Sequence, residues 1–114
     1  MNKKPNKKIS PQKFFELLAE IENAVYDTDY TNAFKKNVKL CYKRNLNLQL
    51  LVDVITILVQ NGFLPAKYNP HQLKSYNCME CHILPDWLLL WKENENELIL
   101  LLTNTGTHSD LLKM

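Results

Sequence analysis

No histidine occurs before residue 71, only three cysteines are present, and no apolar run is long enough to cross a bilayer. A membrane-spanning helix needs about 20 consecutive apolar residues, so a membrane role is excluded. The lysine-rich start does not read as a signal peptide, because Glu16, Glu20 and Glu22 interrupt the apolar residues behind it. Cys41, Cys78 and Cys81 form an odd set with no disulfide framework, which suits a reducing compartment. These absences together predict a cytoplasmic protein.

What is present is one small domain of 114 residues with a net charge of +2. The charge is unevenly spread: Lys3, Lys4, Lys7, Lys8 and Lys13 crowd the start, and Lys35, Lys36, Lys39, Lys43 and Arg44 form a second group. Such runs are more often a solvated face than a nucleic-acid site, so charge alone favours an anionic partner only weakly.

Residues 1–9 are too polar for a core and read as a flexible arm. Ser10-Pro11 supplies an N-cap and first-turn proline for a helix whose apolar stripe is Phe14, Leu17, Leu18, Ile21 and Val25. A short strand is expected within 25–31. A helix carrying Phe34, Val38, Cys41 and Tyr42 follows, and after the 45–47 break comes a more apolar helix ending at Asn61-Gly62. Residues 64–75, with two prolines, read as a loop. Strands are expected over 77–84, 86–92 and 97–103, the last so apolar that burial on both faces near the sheet centre is predicted. The order gives an α+β domain: a small, mainly antiparallel sheet packed on a helical hairpin, with an extra N-terminal amphipathic helix. That helix must bury its stripe on the hairpin, on a sheet edge, or in part of the groove that a protein partner would use.

The chemistry concentrates in the second half. Alternation along 77–84 places Cys78, Glu80 and His82 on one face and Met79, Cys81 and Ile83 on the other, with the apolar set in the core and Glu80 and His82 exposed. Asp86 opens the next strand and His108 follows the Gly106 turn, so two imidazoles and a carboxylate meet at adjacent strand ends, with His71 upstream. Imidazoles titrate near neutrality and suit proton transfer without a metal or cofactor. Cys78-Met-Glu-Cys81-His82 matches a haem-attachment pattern, and the same cysteines suggest zinc. Both readings fail because the cysteines of a strand at this spacing lie on opposite faces. Trp87 is a candidate for stacking on a base, the alternative being core.

With these residues in place, the chain resembles the RelE/ParE superfamily of type II toxins, in its YafQ-like branch, over about residues 28–114. The resemblance rests on Tyr30–Arg44, Leu64–Leu73, Glu80–Leu90 (ECHILPDWLLL) and Thr105–Leu112 (TGTHSDLL). It implies a RelE-like fold after an extension over 1–27, and a metal-independent, cofactor-free endoribonuclease that cuts mRNA on the ribosome beside 16S rRNA. It also implies a cognate antitoxin, with operator DNA bound only through the toxin–antitoxin complex. The implied catalytic residues are His71, His82, Asp86 and His108: His82 or His71 as base, His108 as acid, and Asp86 orienting an imidazole. Glu80, Trp87, Lys67 and Lys74 are implied to bind substrate. Relatives commonly carry arginine where Met79 and Asn104 stand here, and a glycine in a longer loop between His71 and His82. The alternative reading is the same fold as an antitoxin-binding module with weak or lost catalysis; a gyrase-directed toxin ranks last because it gives the histidines no task.

Overall fold

The computed structural model describes residues 8–112. Most of the stretch read as a flexible arm, residues 1–7, lies outside these. Of its remainder, Lys8 donates from Nζ to the Asn45 carbonyl at 2.6 Å and Ile9 packs on the core, so these two residues are docked.

Helix α1 (Pro11–Ala19) begins as the sequence dictates: Ser10 accepts from the Lys13 N–H and Pro11 occupies the first turn. Its stripe is shorter than expected, because the helix ends at Ala19, Asn23 takes a left-handed φ of 58°, and Val25 is exposed. Phe14 and Leu18 are buried against α2 (Asn32–Lys43) and α3 (Leu48–Asn61). The extra helix therefore packs on the helical hairpin. Phe15 also reaches Tyr30 and Phe34, with ring centroids 4.8 and 6.3 Å away.

Thr31 caps α2, Asn47 caps α3, and Gly62 closes α3 in the left-handed region at φ 82°, where a side chain would be strained. The strands are β1 (Asp27–Tyr30), β2 (His71–Leu73), β3 (Cys78–Leu84), β4 (Trp87–Asn94) and β5 (Ile99–Gly106). They form one sheet in the order β1-β5-β4-β3-β2, antiparallel except for the β1–β5 pair. A short helix, α4 (His108–Leu112), ends the described chain.

Two expectations about the strands need correction. The segment read as a loop contains β2, a three-residue edge strand flanked by 3-10 turns at Ala66–Tyr68 and Lys74–Tyr76. Strand β5 is not buried on both faces: Leu100 and Leu102 are in the core, while Ile99 and Leu101 are half-buried beside a cleft lined by Asp29 and Lys92. Helices cover one face of the sheet, so an all-apolar strand still has a core side and a wetter side.

That asymmetry creates the site. On the helical face lie Cys81, Ile83, Trp87, Leu89 and Trp91, in one cluster with the helices. On the other face lie Cys78, Leu88 and Leu90, closed by Leu111 of α4. Cys78 and Cys81 thus belong to opposite layers, and among the described residues no three His, Cys, Asp or Glu side chains are placed to hold a metal ion. No helix of the described residues is long and apolar enough to cross a membrane.

Candidate active site

The three histidines come together from three elements. Strand pairing sets His71 of β2 directly opposite Glu80 of β3, and His82 opposite Leu88 of β4, which pairs onward with Gly106. Glu80 and His82, two residues apart, share a face. His108, the first residue of α4, returns over the same face. The rings line up as His71, His82, His108, with successive centroids 6.4 and 5.7 Å apart.

The turn between β2 and β3 contains no glycine, and Asn77 takes its left-handed position at φ 50°. Asparagine tolerates the left-handed region better than most residues, so the shortened loop still brings His71 onto Glu80. Asn69, also at φ 50°, directs its carbonyl to His71 Nδ1 at 2.9 Å.

Hydrogen-bond chemistry fixes the protons here. A carbonyl only accepts, so Nδ1 of His71 donates to Asn69. His71 Nε2 lies 2.8 Å from Glu80 Oε1, a separation that requires a second proton between them. Both ring nitrogens of His71 are therefore engaged. His82 Nε2 is 3.8 Å from the same carboxylate oxygen, outside hydrogen-bond reach, and remains available. Glu80 itself is 3% exposed, which corrects the expectation that it lies open on the surface. Its other oxygen, Oε2, is buried without a hydrogen-bond partner among the described residues.

At the opposite end, Asp86 sits in the tight Pro85-Asp86 turn between β3 and β4. Its Oδ1 accepts from the His108 ring Nδ1 at 2.8 Å and from the His108 backbone N–H at 3.2 Å. These bonds, the ring's first, hold the Asp86 carboxyl below its ordinary value. An ionised Asp86 keeps the proton of His108 on Nδ1 and leaves Nε2 on the edge of the ring remote from that carboxylate.

Other expected site residues are placed differently. Trp87 is 1% exposed and donates its indole N–H to Thr105 Oγ1 at 2.9 Å, so it is a core residue and no platform for a base. Alternation determines this: Trp87, Leu89 and Trp91 all point to the helical layer. Lys67 and Lys74 are exposed on the two 3-10 turns that flank β2, and Lys67 lies 5.1 Å from the Tyr68 ring centroid. Met79 packs on the core, and the side-chain Oδ1 of Asn104 accepts from the Asn37 amide of α2 at 2.6 Å.

Sequence reasoning missed Arg44 and Asp110, which form a two-pronged ion pair at 2.5 and 3.2 Å beside His108. A signal existed: Thr107-His-Ser-Asp110 is a capping box, and the residue at its fourth position is free to face the end of α2.

A mixed sheet with helices on one face and a row of imidazoles on the other defines a RelE-like toxin fold. The chain belongs to the YafQ family, bacterial toxins of type II toxin–antitoxin systems, whose model matches residues 26–113. The mRNA interferase toxin YafQ of Escherichia coli K12 is 36% identical over 90 residues, covering 75% of this chain and 94% of that protein. The crystal structure of the E. coli DinJ–YafQ complex superposes with a TM-score of 0.69 at 36% identity, over 75% of this chain and 97% of that one. A metal-bound toxin from Helicobacter pylori gives 0.71 at 33%, over 75% and 98%. Helix α1 lies outside the matched residues.

Proposed function

We propose that this chain is a ribosome-dependent mRNA endoribonuclease, working by histidine acid–base chemistry without a metal and restrained by a cognate antitoxin. The observation that carries the reading is the row of three imidazoles, with a carboxylate behind each end. Cleavage of RNA needs a base to take the 2′-hydroxyl proton as O2′ bonds to phosphorus. It needs an acid to protonate O5′ as the P–O5′ bond breaks, and positive charge near the crowded phosphorus. The products carry a 2′,3′-cyclic phosphate and a 5′-hydroxyl.

The geometry supports one division of these tasks. His82, central and with Nε2 unengaged, is the base. His108 is the acid: Asp86 stabilises its imidazolium and leaves Nε2, on the remote edge of the ring, to donate. His71, hydrogen-bonded through both ring nitrogens and with the buried Glu80 behind it, is the imidazole that takes the electrostatic task in place of the arginines absent at Met79 and Asn104. Glu80 works through the histidines, while Lys67 and Lys74 contribute charge to RNA binding along the β2 edge. Relatives named as mRNA interferases and a relative solved with DinJ support the substrate and the antitoxin partner. The ribosomal setting beside 16S rRNA, and operator binding only through the antitoxin complex, follow from the family resemblance.

The test is growth and transcript integrity on inducing the chain in a bacterial host, beside a His82→Ala, His108→Ala double variant. Arrest with cleaved messages for the parent alone is expected, and cleavage in a purified translation system should persist with a transition-metal chelator that leaves the ribosome its magnesium. Arrest by both proteins would overturn the reading. A second reading, an antitoxin-binding module with decayed catalysis, is favoured by one observation: Asn104 is tied to Asn37 and brings no cation to the site. It predicts antitoxin binding with no arrest by either protein.

A further inference from the structure

Arg44 ends α2 and lies far from the histidines in sequence, yet hydrogen bonds through Asp110 and Thr107 join it to the turn that carries His108. Its guanidinium grips both oxygens of Asp110, at 2.5 Å to Oδ2 and 3.2 Å to Oδ1. Asp110 Oδ2 also accepts from the Thr107 backbone N–H at 3.1 Å, while the Asp110 N–H donates to Thr107 Oγ1 at 3.1 Å. This reciprocal capping box sets the first turn of α4, in which His108 is the first residue. Gly106 just before it leaves the space the carboxylate needs, since a Cβ there would lie 3.0 Å from Asp110 Oδ2. His108 is held from the other side by Asp86, through ring and backbone.

The charges explain why an arginine is needed. Asp86 and Asp110 flank His108 and repel one another, and Arg44 feels both carboxylates. A planar guanidinium holds a carboxylate in one orientation through two bonds, which a lysine ammonium cannot do. Without it, Asp110 would be free to leave the cap or to compete with Asp86 for His108.

From this geometry we infer that Arg44 is a positioning residue for His108: through Asp110 it fixes the start of α4, and so the direction of the imidazole that donates a proton to the leaving oxygen. The inference rests on the nuclease reading above, but the position of His108 is measurable without any cleavage.

The experiment uses the full chain and its Arg44→Met, Asp110→Asn, double, and Arg44→Lys variants, assayed on ribosome-bound message and by amide hydrogen exchange. Arg44→Met and Asp110→Asn should each lower kcat, by up to about 10²-fold for a misdirected acid. KM should stay within about twofold, the double variant should be no slower than the singles, and Arg44→Lys should remain slow. The His108 amide, which donates to Asp86, should exchange about tenfold faster while amides of β3 and β4 stay protected, which separates positioning from loss of the fold. A slow Arg44→Met beside a parental Asp110→Asn would overturn the proposal, since Arg44 would then act on the substrate itself. A parental Arg44→Lys would overturn it too, because charge alone would suffice. If the parent fails to cleave, the nuclease reading falls, and the His108 exchange rates still decide the positioning.

Discussion

Asp86 Oδ1 takes two hydrogen bonds from one residue, the ring and the backbone N–H of His108. One carboxylate oxygen thus fixes both where α4 starts and how its first side chain points. In Asp86→Asn the neutral amide oxygen still accepts, but it no longer favours an imidazolium. The expected outcome is a loss of at least about 10-fold and up to about 10⁴-fold in single-turnover cleavage, the upper end being the effect of an aspartate-to-asparagine change behind a proton-transferring histidine. Circular dichroism should show an unchanged fold, because Asp86 is exposed. Parental cleavage by Asp86→Asn would remove Asp86 from the mechanism.

Trp87 separates the base-stacking expectation from what the fold does with the residue. Its N–H fills an acceptor site on Thr105 Oγ1, which in turn donates to the Leu88 carbonyl at 2.7 Å. Trp87→Phe keeps an aromatic ring but leaves that buried hydroxyl short of a partner and opens space. A stability loss of about 1–3 kcal/mol in urea denaturation is expected, with KM for RNA unchanged. A variant of parental stability that binds RNA poorly would restore the stacking role.

The contrast between Trp87 and His82 shows how much was legible beforehand. Period-two alternation gives the faces of β3 correctly, separating Cys78 from Cys81 and His82 from Ile83. Helix ends were equally readable from Ser10-Pro11, Asn47 and Gly62, since caps are local. Alternation does not say which face is wet, and a polar residue on the outer face need not be exposed. Glu80 is buried there because β2 and His71 cover it, and a three-residue strand in a segment with two prolines reads as loop. The Arg44–Asp110 pair spans 66 positions, beyond the reach of any local pattern.

Helix α1 contributes a fully buried Phe14 to a domain whose relatives match only from residue 26 onward. Phe14 touches Phe15 and Phe34, with ring centroids 4.9 and 6.2 Å away, so its removal leaves a cavity between helices. Phe14→Ala should cost about 3–5 kcal/mol by urea denaturation. Deleting residues 1–24 should destabilise the chain as well and expose Phe34. Unchanged antitoxin affinity in that deletion would show that α1 lies apart from the antitoxin groove.

The thiols test the burial of both layers. Burial raises Cys41 to about 11 and Cys81 to about 12, and it raises Cys78 as well. All three are buried. At pH 8 the thiolate fraction of Cys41 is then about one in a thousand, and that of Cys81 smaller still. Iodoacetamide should leave the native protein unlabelled by mass spectrometry and add three groups in guanidinium. Rapid labelling of Cys78 alone would show that α4 opens.

Acid titration of stability isolates the Arg44–Asp110 pair. The hydrogen bond from Arg44, opposed by partial burial, holds the Asp110 carboxyl at about 2, below its ordinary 3.8. A carboxyl depressed in the folded state binds fewer protons there than in the unfolded chain, so stability rises with pH between the two values. The contribution is complete above about 3.8 and lost as pH falls through about 2. The stability difference between the parent and Asp110→Asn should therefore be constant from neutrality to about pH 5 and shrink steadily below pH 4. Half-exposure of Arg44 keeps that difference small, and added salt should shrink it further. A difference independent of pH down to 2 would mean that the capping hydrogen bonds to Thr107, rather than the charge of Asp110, hold α4 in place.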